Sequence, residues 1–208
     1  MRICVSRLEP VGSRAKPTAA TWGIMSKTQL RQQLLKARDA LPNASRAAAS
    51  QQICDQLDTL LQPIQGAIGS YLAAGSEVDL DTLHQRFWRA GGTLYVPKIR
   101  SRTTMDFVEL PSASDEITGA YGIRTSSLDD SIEVTNLNVL IIPCTGFSRA
   151  GHRLGMGGGF YDRLLEHSEP GRPRRIGVAF SVQEAEFEAE IWDQKFDLVI
   201  TELGAISP

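Results

Sequence analysis

Cysteine is scarce in this chain of 208 residues: Cys4, Cys54 and Cys144 lie far apart and form no CxxC pair. That argues against a zinc ribbon or a disulfide framework and fits a reducing, cytoplasmic setting. An excess of charge of one sign is lacking too. Lys and Arg number 22 against 24 Asp and Glu, a formal net charge of -2. The chain as a whole gives no electrostatic case for nucleic acid or an anionic membrane as partner, although a local basic pocket is compatible with it. No apolar run approaches the roughly 20 residues that a bilayer-spanning helix needs. Neither the Walker A pattern GxxxxGK[ST] nor a GxGxxG fingerprint in the right register is present.

What is there divides into a short leader and a domain. Residues 1–25 hold Arg2, Arg7, Arg14 and Lys16 against a single acid, Glu9. They read as a disordered extension, with an organellar transit segment as the alternative. Residues 26–208 suit one domain of ordinary size. Ser26 is placed to cap a helix over 27–41, with Leu30, Leu34, Ala37 and Leu41 at helical spacing. Further helices are predicted over 45–61, 78–90 (capped by Asp79) and 160–167. Strands are predicted over 67–72, 93–96, 105–110, 139–142, 175–180 and 197–201, with an irregular stretch over 111–130. Strands that alternate with helices imply an α/β, three-layer fold around a mostly parallel, doubly wound sheet.

The densest signal is the run Arg153-Leu154-Gly155-Met156-Gly157-Gly158-Gly159-Phe160-Tyr161-Asp162-Arg163. Glycines let backbone N–H groups approach an anion closely, and a helix N-terminus favours negative charge. The run can equally be a tight strand-to-helix connection. Lys27 and Arg31 share one face of the first helix, as a phosphate clamp or as two solvated cations. Glu77 follows a strand end, where ligands of open parallel sheets bind, or is a plain loop acid. Asp162 and Asp193 are candidate ligands for a hard cation, which is commonly held by one or two carboxylates plus phosphates, or each is a helix-start charge or loop acid. His152 is read as a surface or anion-contacting histidine or as a base, and Cys144 as a buried thiol or a nucleophile.

Residues 139–163, together with Lys27-x-x-Leu30-Arg31, Tyr71-Leu72, Glu77-Val78-Asp79, Phe180-Ser181-Val182-Gln183, Trp192-Asp193 and Val199-Ile200-Thr201-Glu202, resemble the 5-formyltetrahydrofolate cyclo-ligase family. The resemblance implies ATP- and Mg²⁺-dependent closure of 5-formyltetrahydrofolate to 5,10-methenyltetrahydrofolate, with release of ADP and phosphate. It implies small-molecule partners alone, in a monomer or weak dimer. It assigns ATP to Lys27, Arg31, Arg153, Leu154, Gly155, Met156, Gly157, Gly158, Gly159, Phe160 and Tyr161, with Arg153 and Tyr161 catalytic. Folate falls to Leu72, Glu77, Met156, Gly158 and Phe160, and Mg²⁺ to Asp162 and Asp193. The chain departs from the family pattern at Thr125-Ser126, where Glu-Pro is common, and at Ser148, where Asp is common. Those departures motivate a second reading, a non-catalytic folate- or nucleotide-binding protein of the same fold, and a third is a different phosphoryl-transfer enzyme using the same basic pocket.

Overall fold

A computed structural model describes residues 25–62, 66–166, 168, 171–190 and 193–208. The expected leader extension, the end of the expected helix at His167, and Trp192 of the family run all lie outside the described residues. In chain order the elements begin with α1 (Lys27–Asp39), α2 (Asn43–Leu61), β1 (Ala67–Gly69), α3 (Asp81–Arg89), β2 (Thr93–Ile99) and β3 (Met105–Glu109). Next come β4 (Glu116–Thr118), β5 (Arg124–Ser126), β6 (Ser131–Ile132), β7 (Val139–Pro143), β8 (Gly146–Phe147) and β9 (Arg153–Leu154). The last are α4 (Phe160–Leu165), β10 (Arg174–Val178), β11 (Leu198–Thr201) and β12 (Gly204–Ile206).

The main sheet runs β12-β11-β10-β7-β1-β2-β3-β6. Its centre, β11-β10-β7-β1-β2, is parallel, and β12, β3 and β6 pair antiparallel at the two margins. The expected doubly wound sheet is therefore present. Alternate residues of the central strands feed opposite faces. Val139 and Ile141 join a core with Ile53 and Leu57 of α2 and Leu83 of α3. Leu140 and Ile142 join a second core with Phe107, Phe147 and Leu165 of α4. Burial of both faces is why β7 reads as a continuous apolar run. The sheet order changes direction between β1 and β7, and ligands of such sheets sit outside the carboxyl ends of the strands at that point.

Ser26 caps α1 as expected. Its hydroxyl accepts from the Gln29 N–H at 3.3 Å while Gln29 Oε1 accepts from the Ser26 N–H at 3.0 Å, a reciprocal box. Leu30 and Leu34 of α1 pack against Leu154 and Ala185, so α1 lies apart from both sheet faces. Gly146 permits that approach, because a Cβ there would fall 2.4 Å from Leu34 Cδ1.

Several sequence expectations need correction. The helix expected over 78–90 starts at Asp81, because the Asp79 carboxylate accepts from the Asp81 N–H and turns the chain there. The stretch 111–130 holds a two-stranded ribbon, β4 with β5, too short and polar to show periodicity. A small hairpin, β8 with β9, follows β7, so the glycine turn joins β9, not β7, to the helix. The helix after it has six residues. A helix that short has little macrodipole, so an anion at the glycine run must be held by side-chain cations and backbone N–H groups.

Candidate active site

At the carboxyl ends of β1 and β7 the structure opens into a cavity of about 940 Å³, within the range of small-molecule sites. Lys27, Arg31, Leu72, Glu77, the whole run from Arg153 to Asp162, and Asp193 line it. Every residue singled out from the sequence for nucleotide, folate or metal thus borders one space. α1 supplies the basic wall, the segment after β1 supplies Leu72 and Glu77, and β9 with the glycine turn supplies the floor.

The cations of this site are matched to specific acceptors. Arg31 Nε donates to the Gly155 carbonyl at 2.7 Å, which ties α1 to the glycine turn. Arg153 is 7 % exposed; its Nη2 donates to Asp162 Oδ1 at 2.5 Å and its guanidinium lies 5.5 Å from the Tyr161 ring centroid. Lys27 Nζ donates to Asp193 Oδ2 at 2.8 Å and lies 3.5 Å from Glu190 Oε1. Gln194 N–H donates to Asp162 Oδ1 at 3.4 Å, so the segment bearing Asp193 meets Asp162 directly. Gly157 and Gly159 adopt φ of 96° and 64°, a region that disfavours residues with a Cβ. The turn is pinned from outside by Arg163, which donates to the Gly158 carbonyl at 2.6 Å and to the Thr103 carbonyl at 2.8 Å.

Burial raises the Glu77 carboxyl above its ordinary value, against the Ala74 N–H and the Arg38 guanidinium, which lower it. Burial also acts upward on Asp193, but the Lys27 ammonium and the Glu190 N–H outweigh it and leave the carboxyl below its ordinary value. Tyr161 is raised by burial and by the nearby Glu77 carboxylate, so its phenol keeps its proton at neutral pH. Burial pushes the Cys144 thiol up to about 12, which removes it as a nucleophile. His152 does not line the cavity, so neither anion contact nor a role as base is supported, which leaves the reading as a surface histidine. Among the described residues no group of three or more His, Cys, Asp or Glu side chains forms a metal cage. Two carboxylates facing one cavity fit a magnesium ion carried in on phosphates, which needs only one or two protein ligands.

A sequence model described as the 5-formyltetrahydrofolate cyclo-ligase family matches residues 24–202. The chain belongs to this family. It is accordingly an enzyme of folate conversion. A cyclo-ligase of Escherichia coli K12 is 32% identical over 139 residues, 64% of this chain and 76% of that protein. One from Mycoplasma pneumoniae is 30% identical over 181 residues, 86% of this chain and 99% of that protein. Among solved structures, a 5,10-methenyltetrahydrofolate synthetase from Aquifex aeolicus superposes with a TM-score of 0.77 at 26% identity. It covers 88% of this chain and 93% of its own. The synthetase structure from Mycoplasma pneumoniae gives a TM-score of 0.72 at 28% identity, covering 86% and 99%.

Both departures from the cyclo-ligase pattern fall outside the cavity lining. Ser148 is wholly buried in the β8–β9 turn, where its hydroxyl accepts from the His152 N–H at 3.2 Å. A serine oxygen serves that turn as a carboxylate would. Thr125 and Ser126 are buried in β5, with Thr125 Oγ1 donating to the Pro97 carbonyl at 2.8 Å. Sequence reasoning missed part of the wall: Pro97 and Ile99 of β2, Met105 of β3, Ile123 before β5 and Arg124 at its start. Pro97 and Ile99 lie past the expected end of their strand, Met105 reads as ordinary strand core, and Ile123 and Arg124 fall in the stretch expected to be irregular. The alternation of Tyr95, Pro97 and Ile99 along one face of β2, continuing past its expected end, was the available signal. Among the described residues no helix is long and apolar enough to cross a membrane.

Proposed function

We propose that this chain performs the ATP- and Mg²⁺-dependent conversion of 5-formyltetrahydrofolate to 5,10-methenyltetrahydrofolate, releasing ADP and phosphate. One observation carries the reading: a single cavity is lined by the basic pair of α1, the glycine turn with Arg153, and the Leu72–Glu77 segment. A nucleotide phosphate and a folate must meet for this reaction, and the cavity offers cationic and apolar walls to one space.

In this reading the formyl oxygen attacks the γ-phosphorus and ADP departs. N10 of the folate then attacks the activated formyl carbon and loses its proton, and the C–O bond breaks to release phosphate. Phosphorylation is needed because the formyl oxygen is otherwise a poor leaving group. The protein's contribution is positioning and charge neutralisation. Lys27, Arg31 and Arg153 hold phosphate oxygens, and the N–H groups of residues 155–161 close around them. Tyr161, kept protonated, donates to developing oxyanion charge. Leu72, Met156, Gly158 and Phe160 bear on the folate, and Glu77 accepts from its polar edge. Asp162 and Asp193 would hold the magnesium ion, which supplies neutralisation of phosphate charge.

The test is to mix the protein with 5-formyltetrahydrofolate and MgATP and follow methenyl absorbance and ADP together. Stoichiometric appearance of both is expected, with turnover in Arg153→Ala and Asp162→Ala reduced by roughly tenfold or more. Tight folate binding without methenyl product sinks the reading in favour of a binding protein. ADP without methenyl product points instead to another phosphoryl transfer.

A further inference from the structure

We propose that Arg38 is a positioning residue for the folate end of the cavity: by holding Ser76 it fixes the turn that presents Glu77. The inference rests on the reading of Glu77 as a folate contact. Arg38 stands one turn beyond Leu34 on the inward face of α1, where helical periodicity calls for an apolar residue, and it is 8 % exposed. An arginine is rarely buried there unless its head group is used. Its Nε donates to Ser76 Oγ at 2.9 Å, and the Ser76 hydroxyl in turn donates to the carboxylate of Asp39. Neither Arg38, Asp39 nor Ser76 borders the cavity. Glu77 does. Its N–H donates to the Ala74 carbonyl at 3.2 Å and its Oε2 accepts from the Ala74 N–H at 3.0 Å. The carboxylate is thereby folded over a one-turn loop whose middle residue, Ser76, is fastened to α1.

α1 therefore meets the cavity at both ends. Arg31 reaches the glycine turn and Lys27 the Glu190–Asp193 segment, and Arg38 stands behind Glu77. The groups that act electrostatically with Glu77 are Arg38 of α1, Tyr71 after β1, Cys144 after β7 and Tyr161 of α4. Of these Arg38 carries the positive charge, and it opposes the upward push of burial on the Glu77 carboxyl. Loss of that charge raises the carboxyl further, so Glu77 takes up a proton at a higher pH.

Steady-state kinetics of the full chain test this, with each substrate varied at saturation of the other. Arg38→Ala is expected to raise the KM for 5-formyltetrahydrofolate by roughly tenfold, the scale of one lost charge-assisted hydrogen bond. The KM for ATP stays unchanged, and the acid limb of kcat/KM for the folate moves to higher pH. Arg38→Lys keeps the charge and a donor and restores most of the folate KM. Ser76→Ala raises the folate KM but leaves the acid limb in place, because the charge remains. If Arg38→Ala fails to fold, Arg38→Lys and Ser76→Ala carry the test. Parallel rises in both KM values, or unchanged folate KM in Ser76→Ala and Arg38→Ala while Glu77→Gln raises it, overturn the inference. An unchanged folate KM in Glu77→Gln overturns the assignment of Glu77 itself, and the inference with it.

Discussion

Gly155→Ala isolates the Arg153–Asp162 pair without altering a charge. The backbone at Gly155 is outside the left-handed region, so alanine's backbone is accommodated. The obstacle is steric: a Cβ there would lie 2.6 Å from Arg153 Nη1, 3.6 Å from Cζ and 3.9 Å from Nη2. Reaching an ordinary contact of 3.4 Å moves the guanidinium by about 0.8 Å, the difference between 3.4 and 2.6. Directed along the pair, that retreat lengthens the 2.5 Å Nη2–Oδ1 distance to about 3.3 Å, beyond the reach of a strong charge-assisted bond. Such a bond nets about 1.5–3 kcal/mol, and each 1.36 kcal/mol is tenfold in rate. The kcat/KM for methenyl formation should therefore fall by roughly 10- to 100-fold. Gly91→Ala is the control, since Gly91 has φ of 78°, nothing within 4 Å of its would-be Cβ, and a place after α3 outside the cavity lining. It is expected to cost about 1–2 kcal/mol of stability through backbone strain and to leave kcat/KM intact. The assay is methenyl absorbance at matched folded fraction, with thermal melts of all three proteins. Wild-type kcat/KM in Gly155→Ala refutes the reasoning, as does a loss of activity that merely tracks a fall in melting temperature.

Two further expectations concern buried titratable groups. Burial in the core holds His84 at about 4 in the folded chain, against an ordinary 6.5. As pH falls the unfolded chain takes up this proton first, so its contribution is fully present above 6.5 and is lost between 6.5 and 4. The loss is about 3 kcal/mol, and urea unfolding at pH 7 and 4.5 should show a smaller pH difference in His84→Gln than in the wild type; equal differences reject it. Cys144→Ser should keep turnover within about threefold, because burial leaves the thiol protonated at working pH; abolished turnover in a folded variant would contradict this.

The fold was legible where periodicity was strong and long. α1 announced itself by Ser26 and the Leu30–Leu34 spacing, and β7 by an unbroken apolar run between polar neighbours. Of the elements of two or three residues, β1 was legible within the apolar run 67–72 and the others were not. β4, β5, β8 and β9 hold no period that a short window can reveal, and their pairing is fixed by contacts distant in sequence. Buried polar side chains were illegible for a related reason. Arg38 and His84 sit on inward helix faces, yet a charged or titratable residue in a sequence reads as solvent-facing until its partner is known. Ser76 and Ser70, their partners, are 38 and 14 positions away.

The candidate site was legible for a different reason than the one that first drew attention to it. Four glycines ahead of a helix suggest an anion held by a helix dipole, but α4 is too short to supply one. The glycines matter instead as space. Gly155 leaves room for the Arg153 guanidinium at 2.6 Å from where a Cβ would stand, and Gly159 leaves room for Arg163 at 2.7 Å. Both arginines come from the same eleven-residue run, and both need a neighbour without a side chain to lie flat along the turn. The sequence pattern of arginine and glycine is thus one packing solution: glycines lower the turn so that cations can cross it. Arg31 then closes that arrangement from α1 through the Gly155 carbonyl. The turn's positive charge is thus held in two different ways: Arg153 is 7 % exposed and paired with Asp162, whereas Arg163 is exposed and donates to the Gly158 and Thr103 carbonyls.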